Sequence, residues 1–351
     1  MSLTLQCQHC HSRFSLREPQ RLKDGATSTC RQCGARFAFV IVPDGAANGD
    51  DAASGRLGTA TFHVQFLGQG STLFGIHVVN VCLTLLTLGV YYFWAKTRVR
   101  RYLFSQSEFA GDRFAYHGTG QELLLGLLRA GMIFGLPYLA LAVGPELLGA
   151  GPAIQTLAAI AAGVVFFSFL PVALAGARRY RLSRTSWRGI RFSFRGRTWD
   201  FLKLFWKGMI LTGVTLGAYY PFFDTQRQAF WVSHSYVGGQ RFSFDGQAWD
   251  LAPSFVAAVL LFPFTLGLSS FWYQATRQRY FWDHTGFGQA RFACTVTTWP
   301  LVRLKLGNLL LLVLTLGLAW PWTTVRNIRF LYRNLMLAGP VDLDRIRQEA
   351  Q

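Results

Sequence analysis

The segment RFSFDGQAWDL, starting at Arg241, has a near copy fifty residues earlier, RFSFRGRTWDF from Arg191, and a weaker one fifty residues later, RFACTVTTWPL from Arg291. A strict internal period restricts the chain to folds assembled from copies of one supersecondary unit. The pair Arg-Phe recurs at Arg113, Arg191, Arg241 and Arg291. Thr-Leu-Gly recurs at Thr87, Thr215, Thr265 and Thr315, each 24 residues after its unit start, with His63 opening the first unit. FLGQGSTL from Phe66 aligns with YHGTGQEL from Tyr116. An aromatic closes all five units (Tyr102, Tyr180, Phe230, Tyr280, Phe330), and Arg precedes it at Arg101, Arg179, Arg279 and Arg329.

Each unit reads as a short alternating strand with a Gly turn, a membrane helix, and an aromatic, basic, amphipathic helical cap that loops to the next strand. In the strand, Phe242 and Phe244 face one side and Ser243 and Asp245 the other. Lone strands of this length are unstable, so they are expected to pair with one another or with another subunit. Four units are fifty residues long, and the second, from Arg113 to Arg191, has 28 more, enough for one further helix and its turn.

About half of the 351 residues are apolar or aromatic, 31 are Phe, and only 15% are charged. Six runs approach the ~20 residues that cross a bilayer: 71–95, 122–143, 151–177, 201–223, 251–273 and 301–323. The fold class expected is therefore an α-helical polytopic membrane protein built from five repeats and preceded by a small cysteine module. Residues 1–42 form that module, 43–58 (PDGAANGDDAASGRLG) a flexible linker, and 59–351 the membrane domain. The net charge of +18 sits largely in clusters that follow apolar runs, as in FWAKTRVRRY and AGARRYRLSR. It is read as contact with anionic headgroups rather than with nucleic acid. Arg100, Arg101, Arg178, Arg179, Arg279 and Arg329 are the candidate headgroup contacts.

TLGVYYFWAKTRVRRYLFS, GDRFAYHGTGQELLLG and LFGIHVVN together resemble the YjgN-like family of bacterial inner-membrane proteins, over about residues 60–335. The resemblance implies a multi-pass protein of the inner membrane with uncharacterised activity, and it carries no assigned site. The later units depart from the pattern: ACTVTTWP, from Ala293, has lost the turn Gly and gained Cys294.

Cys7-x-x-Cys10 and, nineteen residues on, Cys30-x-x-Cys33 have the spacing of a structural four-thiolate zinc site. CQHCHSRF and CRQCGARF echo each other, and a forty-residue module can build its small core around Phe14 and Phe37 with a metal's help. It resembles the zinc-ribbon fingers at the N-termini of various bacterial membrane proteins. Disulfides or a redox pair are the alternative, and His9 or His11 could substitute as ligands. The ribbon could hold a protein partner, and its arginines leave nucleic acid open.

Ionisable residues within a span are site candidates. Arg129 is the clearest, against snorkelling to the interface. His77 and Asn80 share one helix face, where they could line a polar path or bond a neighbouring helix. Lys203, Lys207, Arg303 and Lys305 read as interfacial anchors, and His234 and His284, at equivalent positions, as inherited loop contacts. Pro171, Pro221 and Pro321 mark span ends. Nothing resembles a hydrolase, kinase or transferase constellation, and no enzyme activity is expected.

Plain alternation of six spans puts 16 lysines and arginines on the face of loops 96–121, 176–200 and 274–300. The positive-inside rule would make that face cytoplasmic and leave the cysteine module outside. Reduced thiolates require the module inside. The cytoplasmic N-terminus is preferred, and re-entrant hairpins are one way to remove the conflict. Two functions remain: a transporter- or channel-like protein for a small solute, ion or lipid, with a site at the repeat interface, or a scaffold, sensor or envelope-organising module. Homo-oligomers fit either.

Overall fold

The computed structural model describes residues 61–340 and, before them, the backbone of four short strands. The chain divides into Met1–Leu57 and Gly58–Gln351. In the first unit β1 (Leu3–Gln6) pairs antiparallel with β2 (Arg13–Leu16), and β3 (Thr27–Thr29) with β4 (Arg36–Ala38). The expected zinc ligands Cys7, Cys10, Cys30 and Cys33, and the linker 43–58, lie outside the described residues. In chain order each Cys-x-x-Cys falls between the two strands of a pair.

The second unit runs strand, helical hairpin, strand, and then does so again. The first such segment is β5 (Thr61–Phe66), α1 (Gly70–Leu86), α2 (Tyr92–Ser105) and β6 (Ser107–Phe109). The second is β7 (Asp112–Tyr116), α3 (Gly120–Ala130), a π-helical turn Gly131–Gly135, α4 (Leu136–Leu147), α5 (Pro152–Ser183) and β8 (Thr185–Trp187). The third is β9 (Ile190–Phe194), α6 (Thr198–Val214), α7 (Tyr220–Ser233) and β10 (Ser235–Val237). Then come β11 (Gln240–Phe244), α8 (Ala248–Leu261), α9 (Leu268–Asp283) and β12 (Thr285–Phe287). The last is β13 (Ala290–Cys294), α10 (Thr298–Leu314), α11 (Trp320–Arg333) and β14 (Leu335–Ala338).

The molecule is mostly helical, but β5 to β14 close into one ten-stranded antiparallel barrel in chain order. Closure comes from β14 pairing with β5 through Met336 to His63, Leu337 to Phe62 and Ala338 to Thr61. A closed barrel leaves no edge among these very short strands, which is what makes them stable. Tight two-residue turns join one segment to the next. Ala110-Gly111 and Arg188-Gly189 both have positive φ at each residue, the hairpin geometry that matches strand twist. The helices form a second ring on the barrel: each packs on the next, and α11 returns to α1.

Two expectations change here. The apolar runs 71–95, 201–223, 251–273 and 301–323 are not single helices; each holds a helix, a turn and the start of a second helix. The turn is the recurrent Thr-Leu-Gly. Thr215 Oγ1 donates to Leu211 O at 2.7 Å and accepts from Tyr219 N–H at 3.0 Å, so one hydroxyl serves both helices. Thr87, Thr265 and Thr315 do the same. Hydropathy sums straight across such a turn because its Leu is apolar. The helical caps also do not run into loops; each ends in a three- or four-residue strand that pairs in the barrel. Two helical stretches, Gly120–Leu147 and Pro152–Ser183, are long and apolar enough to cross a membrane.

The recurrent pair of Arg and an aromatic ties the hairpins to one another at their feet. Tyr102 Oη accepts from Gln69 N–H at 2.8 Å and donates to Gln69 O at 3.0 Å, fixing the entry to its own hairpin. Tyr180 holds Thr119 and Tyr280 holds Gln247 in the same way. The Arg before it reaches the following segment around the ring: Arg179 donates to Gly196 O at 2.8 Å and Arg329 to Gly68 O at 2.9 Å. Burial, with the Asp250 carboxylate at 2.5 Å, pushes the Tyr280 phenol up to about 12.

Candidate functional site

The strand alternation that the Arg-Phe motif announces turns one face of every strand into the barrel. Each long strand sends in one side chain: Val64, Phe114, Phe192, Phe242 and Phe292. Each short strand sends in another: Phe109, Trp187, Val237, Phe287 and Leu337. Ten strands enclose more space than eight, whose interior side chains just fill it. A cavity of about 250 Å³ remains, lined almost wholly by apolar atoms. Phe62, Ile190 and Ala290 pack with the same aromatic cluster. The rings meet at 4.8 Å between Phe242 and Phe287 and at 5.5 Å between Phe109 and Trp187. Trp187 Nε1–H is satisfied by Phe109 O at 3.1 Å, so the indole leaves no open donor.

A second cavity of about 290 Å³ adjoins the first, sharing Phe114, Phe192 and Tyr332 with it. Its remaining wall is Phe104, Leu182, Thr185 and two arginines of α5, Arg178 and Arg181. Arg178 donates to Trp231 O at 3.4 Å and Ser235 Oγ at 3.2 Å, and lies over the Trp231 ring, yet its buried Nε has no partner. Arg181 is exposed in this cavity and, among the described residues, donates to Ala177 O on its own helix at 3.3 Å. Neither has a carboxylate partner among the described residues. Tyr332 closes the side, its hydroxyl 3.2 Å from Ser107 Oγ. An apolar lumen with a cationic mouth suits a molecule having an apolar part and an anionic end.

Of the sequence candidates, His77 and Asn80 are brought together in a third cavity of about 540 Å³ between α1, α2 and α11. Asn80 is buried, donates to Ala95 O at 3.4 Å, and leaves its Oδ1 unpaired; His77 stacks on Trp320 at 5.2 Å. Lys96 and Arg100 share this cavity, and Arg100 donates at 3.3 Å to Tyr116 Oη, next to Arg181. Arg100 thus stands between the lateral cavity and the barrel mouth. Arg129 is not among them. It is exposed on α3, with Lys207 exposed at the corresponding place on α6.

The six arginines read as headgroup contacts divide. Arg101, Arg179 and Arg279 are exposed, and Arg100, Arg178, Arg179 and Arg329 make the bonds within the protein described above. His234 and His284 donate from Nδ1 to the carbonyls of Phe230 and Tyr280, at 2.8 and 2.9 Å. Sequence reasoning missed Arg181 and also Asp224, which is buried on α7 between Arg227 and Arg277 of α9, the latter at 3.3 Å. Arg277 also reaches Tyr220 Oη at 3.3 Å. The only signal for Asp224 was an acid placed directly after the aromatic run YYPFF, where a buried carboxylate needs a cation.

Apolar helical hairpins carried on a closed barrel make this a protein of the membrane type. The chain belongs to the DUF898 family, described as bacterial proteins of unknown function, whose model matches residues 61–268 and 252–351. It is similar to the inner membrane protein YjgN of Escherichia coli O157:H7, 34% identical over 129 residues, covering 37% of this chain and 30% of that one. YjgN of Salmonella typhimurium is 30% identical over 140 residues, covering 39% and 33%. The match therefore spans about a third of these curated relatives. No solved structure matches.

Proposed function

We propose that this is a non-enzymatic inner-membrane protein, transporter-like in that it takes an anionic amphiphile, lipid-derived or free, from the bilayer into an internal site. The observation that carries this reading is the apolar barrel lumen opening on Arg178 and Arg181, with no acid to neutralise them among the described residues. The apolar part of the ligand occupies the lumen, and its carboxylate or phosphate takes charge-assisted bonds from the two guanidiniums. The cavity of His77, Asn80 and Lys96, leading past Arg100, supplies a lateral way in from the membrane. Five strand–hairpin–strand repeats would then build one site at their common axis, as repeats do in transporters.

Purified full-length protein in nanodiscs, titrated with oleate and phosphatidic acid and read by native mass spectrometry, tests this. Arg181→Gln should weaken both by about tenfold, the worth of one charge-assisted bond, and leave uncharged monoolein unaffected. Val64→Phe, which installs the aromatic found at the same place in the other four segments, should weaken all three. Equal binding of oleate and monoolein, or indifference to both substitutions, would overturn the reading.

We further propose that Cys7, Cys10, Cys30 and Cys33 hold one structural zinc on the cytoplasmic side. Their spacing supports it, as does the placing of each pair between two antiparallel strands. One zinc per chain is expected by elemental analysis, lost in Cys30→Ser; a metal-free chain with paired disulfides would contradict it. The alternative, a scaffold or sensor recruiting a protein partner, rests on this module.

A further inference from the structure

Four of the five hairpins end in a tip that suits only hydrocarbon. Leu88, Leu216, Leu266 and Leu316 are 93–97% exposed and have φ between 48° and 50°, a left-handed conformation that leucine rarely takes. In water a Gly or Asn would serve better on both counts. The tip backbone also looks inward for its bonds: Gly217 N–H donates to Thr212 O, Leu216 N–H to Gly213 O and Ala218 N–H to Thr215 O, at 2.7–3.1 Å. Within a bilayer, backbone polar groups must be satisfied inside the protein, and these three N–H groups are.

All five hairpins rise from the barrel three residues after a long strand, so their reach can be compared from one level. From the first helical residue to the tip is 18 residues at Leu88, Leu216, Leu266 and Leu316, but 29 from Gly120 to Gly149. At 1.5 Å per residue these are about 27 Å and about 43 Å. The longer reach matches a bilayer of ~40–45 Å including headgroups, and its tip carries the exposed carboxylate of Glu146. The other four end about 16 Å below it, and beyond the level of Lys207 and Arg129, nine residues up the first helices, they have about 14 Å left for a ~30 Å hydrocarbon core. Lys207 on α6 and Arg129 on α3 occupy the same level, and exposed Trp199, Trp249 and Trp299 ring the barrel end of the first helices. Basic and Trp belts mark the near interface.

We infer that only the second hairpin crosses the bilayer, and that the other four enter it from the barrel side and end within the hydrocarbon. The surface they present fits a lipid bilayer with anionic headgroups at the basic belt. Every basic loop then lies on one side with the barrel, and the charge conflict of simple alternation disappears.

The test is a set of single cysteines in the full chain in cells, treated with a membrane-impermeant maleimide and read by mass spectrometry of the substituted peptide. Leu148→Cys should be labelled in intact cells. Gln289→Cys, in an exposed barrel turn, should be labelled only in inverted vesicles. Leu216→Cys and Leu316→Cys should be labelled in neither, and fully after detergent denaturation. Labelling of either short tip from outside would show that the short hairpins cross as well. Labelling of either from inside would show tips in water. Either result, or a protected Leu148→Cys, overturns the inference.

Discussion

Residue by residue, the most informative exchange is at the foot of each hairpin. An aromatic at the strand end folds over the Gly two residues on: Phe66 over Gly68, Tyr116 over Gly118, Phe194 over Gly196, Phe244 over Gly246. A Cβ on Gly246 would sit 2.7 Å from Phe244 Cζ and 2.9 Å from Tyr280 Cε1. In the last segment the Gly is Val296, and the aromatic has become Cys294; both are buried in one cluster with Leu301. Bulk has moved from one position to its neighbour. The lost Gly was plain in the sequence, but the compensation was not, because nothing there says the two side chains share a space. Gly246→Val alone should cost about 1–3 kcal/mol through overpacking, and adding Phe244→Cys should recover at least half. Additive losses in the thermal unfolding of the four-member cycle would refute the shared space.

At the scale of the element, the hairpin was half visible. Thr-Leu-Gly stood out as a periodic marker, yet hydropathy concealed its role, since a turn made for lipid is as apolar as the helices it joins. Short strands such as Thr185–Trp187 and Ser235–Val237 gave no alternation long enough to read. A charge at the tip distinguishes the two kinds of hairpin. Leu216→Arg should cost about 2.5–3.5 kcal/mol of insertion, the price of Arg deep in a bilayer, and be seen as loss of carbonate-resistant protein. Leu148→Arg, at the far surface, should be tolerated. Equal tolerance would mean that both tips reach water.

For the whole molecule, the recurrence of the strand motif and the single face taken by Phe242 were legible in the sequence, because strand alternation is local. The sequence could not disclose that the strands close on themselves, nor that Arg178 and Arg181 of α5 line one cavity with Phe104, Phe114 and Tyr332, since both depend on residues brought together from separate segments. The basic runs were visible but their partners were not. Four of the six arginines read as headgroup contacts also bond to neighbours within the protein.

The pairing of β14 with β5 also imposes an order on manufacture. A ribosome delivers Thr61–Phe66 first and Leu335–Ala338 some 270 residues later. Four hairpins can enter the membrane and eight strands begin to assemble, but β5 keeps a bare edge until the final segment arrives. A chain broken off before Leu335 would carry two unpaired edges, at β5 and β13, with an aromatic lumen open between them. Such a fragment offers a quality-control protease an unmistakable difference from the finished ring. The same adjacency means that a linker from Ala338 to Thr61 and a new opening at an inter-segment turn would leave the ring itself unchanged.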